Sequence, residues 1–418
     1  ATALCPMHRL LTRLLTAVVL LAGTPLATGA PGPDLGALVE RAWALARAAE
    51  ARDARATAID ARTQAIEAPF PGAPEVSMEL RNDLPRWSRL PGTTTSSTRG
   101  FAEIAPGVSV PLWLPGQRDA QRRVGARERD LLSTSSRALR LQIAGEVREA
   151  AWALRVARVD ERVQQAREAA GAALLADVER RVAAGALAPV DALSASAERI
   201  AAAAAVREAR DAVAIAVSRL RQLTGTDDVG DIAETPGDDL RLDAHPALAA
   251  ARDTVEVARA RRDERQATRR DNPRLTAIAR FERDAYGQDW RNTVRIGIAV
   301  PLDTEARNAP RLSEASAALV DAELALQRLQ RAHQAEVERA RTALAGAQAG
   351  AQAQAERAAV LRRARAAVER AFAAGELGLP EVLRVRAQAL DAELAHERAR
   401  EHTGRAVARL NQALGDAP

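Results

Sequence analysis

The pattern of apolar and polar positions divides the chain into long helical stretches and a few short alternating segments. No proline occurs between Gly116 and Ala188, and apolar residues recur there at helical spacing. They include Leu139, Ile143, Val147, Ala150 and Leu154. At a rise of about 1.5 Å per residue, this stretch predicts a single helix roughly 100 Å long. A second proline-free stretch, 311–379, predicts a helix of similar length.

Each long helix is followed by a turn and a returning helix. Gly185 precedes Pro189, and Gly375 precedes Pro380, the order in which one helix ends and the next begins. The pattern therefore predicts two helical hairpins, at 118–224 and 311–414.

Short segments with period-two alternation precede each hairpin. In the clearest, Val294, Ile296 and Ile298 alternate with Arg295 and Gly297, which is typical of a strand with one apolar face. The alternation predicts strands at about 74–84, 101–113, 273–283 and 293–302. Such segments fit transmembrane β-strands, with apolar residues toward lipid, and equally a half-buried hairpin of a soluble protein.

Three tryptophans fall at the ends of these predicted strands, as in the aromatic girdles of membrane barrels. They are Trp87, Trp113 and Trp290.

The two halves of the chain repeat one another. Val110-Pro111-Leu112 recurs at 300–302, Ala183-Ala184-Gly185 at 373–375, and Ala216-Val217 at 406–407, always 190 residues later. Three matches in one register indicate a tandem duplication. The predicted repeats are 31–240 and 241–418, each ordered helix, strand, strand, long helix, helix. Their opening helical stretches lie at 34–68 and at about 246–270, ended by Pro69 and Pro273.

The N-terminus has the pattern of a secretory signal peptide. Met7 is followed by Arg9 and Arg13, then by the apolar run 14–22 and small residues up to Ala30. The predicted signal peptide is 1–30, with 1–6 upstream of a translation start at Met7. The apolar run is too short for a stable membrane-spanning helix. Because the single cysteine, Cys5, precedes Met7, the exported part needs no disulfide.

Composition excludes several classes of function. Hydrophobic residues make up 47% of the chain and aromatic residues only 2%, a balance typical of alanine-rich packed helices rather than a large globular core. All 60 basic residues are arginine, and they alternate with 55 acidic residues, so no nucleic-acid partner is predicted. The chain has no glycine-rich phosphate loop, cysteine–histidine cluster or nucleophile motif. We therefore expect neither an enzyme nor a cofactor or metal site.

An acidic segment, 225–243, connects the two repeats. A calcium site is conceivable there, but the spacing matches no EF-hand loop. A solvated linker is the favoured interpretation.

The leader, the duplication and the long hairpins together resemble the TolC-type outer-membrane efflux family, over about residues 34–415. The two turns carry the most specific motifs. In each, a glycine is followed six residues later by an acidic residue and then by an apolar pair, at Gly185 to Asp191 and at Gly375 to Glu381.

The resemblance implies a mainly α fold with a transmembrane β-barrel. Three copies would form a homotrimer with a closed twelve-stranded barrel in outer-membrane lipid and an α-helical barrel in the periplasm of a Gram-negative bacterium. It implies a passive conduit in a tripartite efflux or export system. Its partners would be a periplasmic adaptor, or membrane fusion, protein and an inner-membrane RND pump or other exporter.

The resemblance also implies two sets of site residues. The candidate periplasmic gate comprises Gly185, Asp191, Phe372, Gly375, Glu381 and Arg384. The candidate junction between barrel and tunnel comprises Pro111 and Pro301. Phe372 stands where the family often has tyrosine, Leu377 where some members have arginine, and Arg384 where they can have an acidic residue. The alternative for Asp191 and Glu381 is that both acids only cap the helices that they begin.

Two short segments indicate a cargo, and the number of hairpins distinguishes the channel from its alternatives. The segments 75–79 and 108–116 are most similar to the branch that serves heavy-metal RND efflux pumps. The alternative function is a periplasmic adaptor or a coiled-coil scaffold of a transport complex. An adaptor normally has one helical hairpin per chain, and a scaffold would lack the four strands, so the duplication favours the channel.

Overall fold

The computed structural model describes residues 33–82, 100–237, 244–285, 287–302 and 305–418. The predicted signal peptide, 1–30, and Trp87 lie outside these ranges. In the first half the elements are α1 (Leu35–Leu45), α2 (Ala48–Glu67), β1 (Glu75–Asn82), β2 (Ala102–Pro111), α3 (Gln117–Ala183) and α4 (Pro189–Thr224). In the second half they are α5 (Pro246–Ala267), β3 (Arg274–Arg283), β4 (Arg291–Ala299), α6 (Glu305–Ala373) and α7 (Leu379–Leu414). The predicted order of elements in the two repeats is confirmed.

The two longest helices are α3, with 67 residues, and α6, with 69. Each extends roughly 100 Å at the rise of an α-helix. Helix α6 begins at Glu305, earlier than the predicted 311, and contains Pro310. Pro310 is the sixth residue of α6, where it removes the backbone hydrogen bond to the carbonyl of Ala306.

The first helical stretch is divided, where one element was predicted over 34–68. Asp34 caps α1 by accepting a hydrogen bond from the Ala37 N–H (2.8 Å). The chain then turns at Arg47, whose φ of 50° is in the left-handed region, and continues as α2. This break allows Leu38 and Val39 of α1 to be fully buried against α3.

The segment between the repeats is packed, which corrects the prediction of a solvated linker. Val229 and Ile232 are buried in the same cluster as α1, α3 and α4. Glu234 receives a hydrogen bond from Arg148 of α3 at 2.9 Å, and the Arg148 side chain is only 4% exposed. In the described part of this segment, Glu234 therefore pairs with an arginine of α3, a contact between residues distant in sequence.

Two hairpins, α3–α4 and α6–α7, pack against one another where α3 meets α7. Two glycines allow the close approach. A Cβ at Gly145 would lie 2.9 Å from Cδ of Gln412, and a Cβ at Gly404 would overlap the indole ring of Trp152. Trp152 is 4% exposed, so its ring fills the space that Gly404 leaves.

The four strands form one antiparallel sheet in the order β1-β2-β3-β4. Its register pairs Val76 with Val108, and Ala277 with Ile296. Strand β4 ends at Ala299, whereas the alternation predicted a strand to Leu302. The reason is Pro301, which has no N–H to donate to a neighbouring strand.

In the described part of the chain, no helix is both long and apolar enough to cross a membrane.

Candidate functional site

The sheet has one apolar face, and that face is exposed. The register brings together on it Val76, Met78, Leu80, Ile104, Val108, Leu275, Phe281, Val294, Ile296 and Ile298. Val76 is 82% exposed and Ile296 73%. A surface of this kind on a single chain indicates contact with lipid or with another protein.

The opposite face is charged and partly enclosed. Glu103 is 4% exposed and pairs with Arg280 at 2.8 Å. Glu282 pairs with Arg291 at 3.2 Å, nearer the strand ends. On the two central strands the usual arrangement of a soluble sheet is therefore inverted, because the polar face is the more sheltered one there, whereas β1 and β4 are exposed on both faces.

Strands β1 and β4 are the edges of the sheet. Within the chain, β1 pairs with β2 and β4 pairs with β3. The outer edge of each strand presents unpaired backbone groups, which a further strand can satisfy.

Pro111 and Pro301 lie at the same end of the sheet, where strands give way to long helices. Both line a groove with Asn272. The Asn272 side chain donates to the Leu112 carbonyl at 2.8 Å, and the Leu112 N–H donates to the Pro273 carbonyl at 2.7 Å. These bonds connect the first repeat to the second at the predicted junction.

The tryptophans near the strands lie at opposite ends of the sheet. Trp113, at the helix end, donates from its indole to the Ala68 carbonyl at 3.3 Å. Trp290 immediately precedes β4 at the other end and is 43% exposed, with the Arg283 guanidinium 5.2 Å from its ring centre.

The two hairpin turns have the same backbone structure. Gly185 and Gly375 have φ values of 74° and 79°, a conformation that glycine adopts without strain. In each turn the glycine N–H bonds to the carbonyl three residues earlier, and the next N–H bonds to the carbonyl five residues earlier. This is the Schellman pattern of helix ends, present at the corresponding turn of each repeat.

The acidic residues that follow these glycines differ in their contacts. Asp191 accepts a hydrogen bond from the Ala188 N–H at 3.1 Å, in a position that caps α4. Glu381 instead accepts from Nε of Arg384 at 3.0 Å, three residues along α7. This hydrogen bond, and the charge of Arg384, hold the pKa of Glu381 below its ordinary value. Asp191 thus has a capping contact, and Glu381 and Arg384 form an exposed pair.

Phe372 joins the two hairpins near their turns. It belongs to α6 and is 6% exposed in a cluster with residues of the other three hairpin helices, Leu174, Val178, Ala195, Leu379 and Val382. Arg181 of α3 lies over its ring at 4.6 Å and donates to its carbonyl at 3.3 Å. The structure therefore brings Phe372 into contact with the other repeat.

Arg181 was missed by the sequence analysis. Its counterpart at the offset of 190 residues is Ala371, and the counterpart of Phe372 is Val182. Comparing the repeats position by position would have revealed these two departures from the duplication. The two residues, Arg181 and Phe372, are a cation and an aromatic ring, which attract one another at short distance.

Within the described ranges, no group of three or more histidine, cysteine, aspartate or glutamate side chains could hold a metal ion.

Comparison with known proteins agrees with this geometry. The family model described as outer membrane efflux protein matches residues 42–226 and 239–416. A comparison with curated proteins gives no match. Among solved structures, the outer membrane protein VceC of Vibrio cholerae is similar, with a TM-score of 0.73, 16% identity, and coverage of 92% of this chain and 96% of that chain.

Two other solved structures share the fold. The CmeC outer membrane channel of Campylobacter jejuni has a TM-score of 0.73 and 14% identity, over 91% of this chain and 85% of that chain. The MtrE outer membrane channel of Neisseria gonorrhoeae, solved in its open state, has a TM-score of 0.71 and 16% identity, over 93% and 90%.

The family model covers both repeats, and the solved structures share their architecture over nearly the whole length. This chain therefore belongs to the outer membrane efflux protein family.

Proposed function

We propose that the chain is the outer-membrane channel of a tripartite efflux or export system, working as a passive homotrimeric conduit from the periplasm to the exterior. The observation that carries the proposal is the sheet, whose apolar face is exposed and whose charged face is sheltered on the two central strands. That arrangement suits a wall between lipid and water. The two open edges require further strands, since unpaired backbone groups are not tolerated in lipid.

Three copies contribute four strands each to a closed twelve-stranded barrel. The charged face then lines the lumen, and the helices continue it into the periplasm for roughly 100 Å. Pro111 and Pro301 mark the level at which the barrel becomes the tunnel, supported by their position at the helix end of the sheet.

The hairpin turns lie at the far end of the helices, where a periplasmic adaptor protein and an inner-membrane RND pump or other exporter dock. Heavy-metal cations are the proposed cargo, on the basis of the segments 75–79 and 108–116. Loss of the gene should then sensitise cells to metal salts more than to large antibiotics. The opposite order of sensitivity would contradict the proposed metal cargo but not the proposed channel.

We assign the gate to the same turns. Glu381 with Arg384, and Asp191 on the adjacent hairpin, come near a common axis when three copies assemble. The Arg181–Phe372 contact holds the two hairpin ends of one copy together. Exposed ion pairs contribute at most about 1 kcal/mol each, so the closed state depends on several of them acting together.

The test is single-channel conductance of the purified protein in planar lipid bilayers. The wild type should insert as a channel of low conductance. Combining Asp191→Ala with Glu381→Ala should raise conductance severalfold, because charged contacts at the narrow end are lost. Glu338→Ala, which removes a similar exposed pair with Arg341 from the side of α6, is the matched control and should leave conductance unchanged.

Unchanged conductance in the double variant with a lower melting temperature would mean that the two acids only cap helices. Failure of the wild type to form any channel would contradict the proposed function itself.

A further inference from the structure

Two histidines meet where α7 ends and α5 begins. The ring centres of His245 and His333 are 3.7 Å apart, with 59° between the ring planes. His245 is the N-cap residue of α5 and is 2% exposed, and His333 lies on α6. The contact therefore joins the first turn of α5 to α6.

One side-chain hydrogen bond of His245 indicates that its ring is neutral. Its Nδ1 atom accepts a hydrogen bond from the Ala247 N–H at 3.2 Å, which caps α5. An accepting Nδ1 carries no proton, so the ring is neutral with its proton on Nε2. Nε2 of His245 and Nδ1 of His333 are both buried and have no hydrogen-bond partner in the described part of the chain. Protonation of His245 would remove the acceptor that caps the helix.

The junction leaves the His245 ring little room. Gly415, which ends α7, has a φ of 87°, and a Cβ there would lie 2.6 Å from Cδ2 of His245 and 3.1 Å from Cδ of Pro246. The ring cannot turn away from His333 unless the start of α5 moves away from the end of α7.

The charged groups around the pair offer little compensation for a positive imidazole. They come from three helices and line one cavity of about 680 Å³: Arg148 and Glu149 of α3, Glu336 of α6, and Arg405 and Arg409 of α7. Glu149 already accepts hydrogen bonds from both Arg405 and Arg409.

Arg148, the remaining arginine, is bonded to Glu234. Glu336 opposes the lowering of the His333 pKa, but it is itself paired with Arg339 at 2.7 Å.

We propose that the His245–His333 contact is an acid-sensitive joint, which holds the first turn of α5 against α6 while both rings are neutral and releases it when they are protonated. Helix α5 packs against both α3 and α6. Release would therefore allow α6 to shift relative to α3 where α5 begins. The joint lies within one copy, so it does not depend on the proposed assembly.

The direction of the pH dependence follows from the shifted pKa. Burial and, to a lesser extent, the neighbouring His333 lower the pKa of His245 from 6.5 to about 4. In the released state the ring regains its ordinary pKa, so protons favour release as the pH falls below 6.5. Between about pH 7.5 and about pH 5, His245 alone should raise the release equilibrium roughly thirtyfold.

Hydrogen exchange of the full chain, measured by mass spectrometry, tests this directly. Once intrinsic exchange rates are corrected for, exchange in the first turns of α5 should rise roughly thirtyfold between the two pH values. The variant His245→Asn, combined with His333→Gln, should remove most of the rise. Asparagine retains an N-cap acceptor but does not titrate. His402→Gln removes an exposed histidine of α7 and should behave as the wild type.

The same rise in the double variant, or no rise in the wild type, would overturn the proposal. If the double variant lacks native helix content at neutral pH, His245→Asn alone carries the same test, because it leaves the cap in place.

Discussion

At the scale of single residues, the interior of the helical region depends on a few buried charges. Arg148 is 3% exposed and joins three parts of the chain. From α3 it donates to Glu234 of the segment between the repeats at 2.9 Å and to Gln412 of α7 at 2.7 Å. A buried ion pair adds little net stability because both charges lose their hydration. Removing only one partner, however, is strongly destabilising, because it leaves the other charge buried and unpaired.

Arg148→Met should therefore destabilise the protein by about 3 kcal/mol, since the largely buried Glu234 would lose its charged partner. Thermal unfolding followed by circular dichroism measures the effect. Adding Glu234→Met should recover most of the lost stability. Arg47→Met, which breaks an exposed pair with Glu50, is the control and should cost less than about 1 kcal/mol. Equal losses for the Arg148 and Arg47 variants would show that the buried pair has no special role.

At the scale of elements, local patterns allowed accurate prediction of the two hairpins and of the faces of β4. Helical spacing and the Gly–Pro turns predicted the hairpins, because helix ends depend on neighbouring residues. Alternation predicted both faces of β4, with Ile296 on the apolar face and Arg295 on the other.

The features that the sequence did not reveal depend on contacts between distant segments. The burial of Val229 and Ile232 and the contact of Arg181 with Phe372 each require a partner from another helix. The end of β4 at Ala299 could have been predicted from Pro301, but the apolar alternation was extended beyond it. For the candidate gate, the repeated motif allowed the positions of the residues to be predicted, but it did not predict their hydrogen-bond partners.

The two faces of β4 provide a prediction at this scale. Ile296→Arg places a charge on the face that we assign to lipid and should cost about 2–4 kcal/mol at the middle of a bilayer. Assembled protein in the outer-membrane fraction should fall severalfold. Arg295→Gln, one residue away on the charged face, is the control and should leave the yield nearly unchanged. Similar yields for both variants would mean that the apolar face does not contact lipid.

At the scale of the whole molecule, one chain leaves apolar surface uncovered at several places. The sheet exposes one apolar face and two edges, and the helices expose further apolar side chains. Ile200 and Ile215 of α4 are 58% and 72% exposed, and Val320 and Val360 of α6 are 52% and 56%. Neighbouring copies that continue the sheet from β4 to β1 would cover these flanks, whereas lipid would cover the apolar face of the barrel.

The central claim is that three copies close the sheet through the edges of β1 and β4. Disulfide cross-linking tests it most directly, because the only native cysteine, Cys5, lies in the predicted leader. Ser77→Cys on β1 is combined in turn with Thr293→Cys, Arg295→Cys or Gly297→Cys on the same face of β4. Strands that pair bring their Cβ atoms within disulfide distance at one register.

At one of these positions, oxidation in the outer membrane should give a ladder on denaturing gels that stops at three chains. Native mass spectrometry of the detergent-extracted protein should give the same number. Monomers at every register, or a ladder that continues past three, would contradict the closed trimeric barrel.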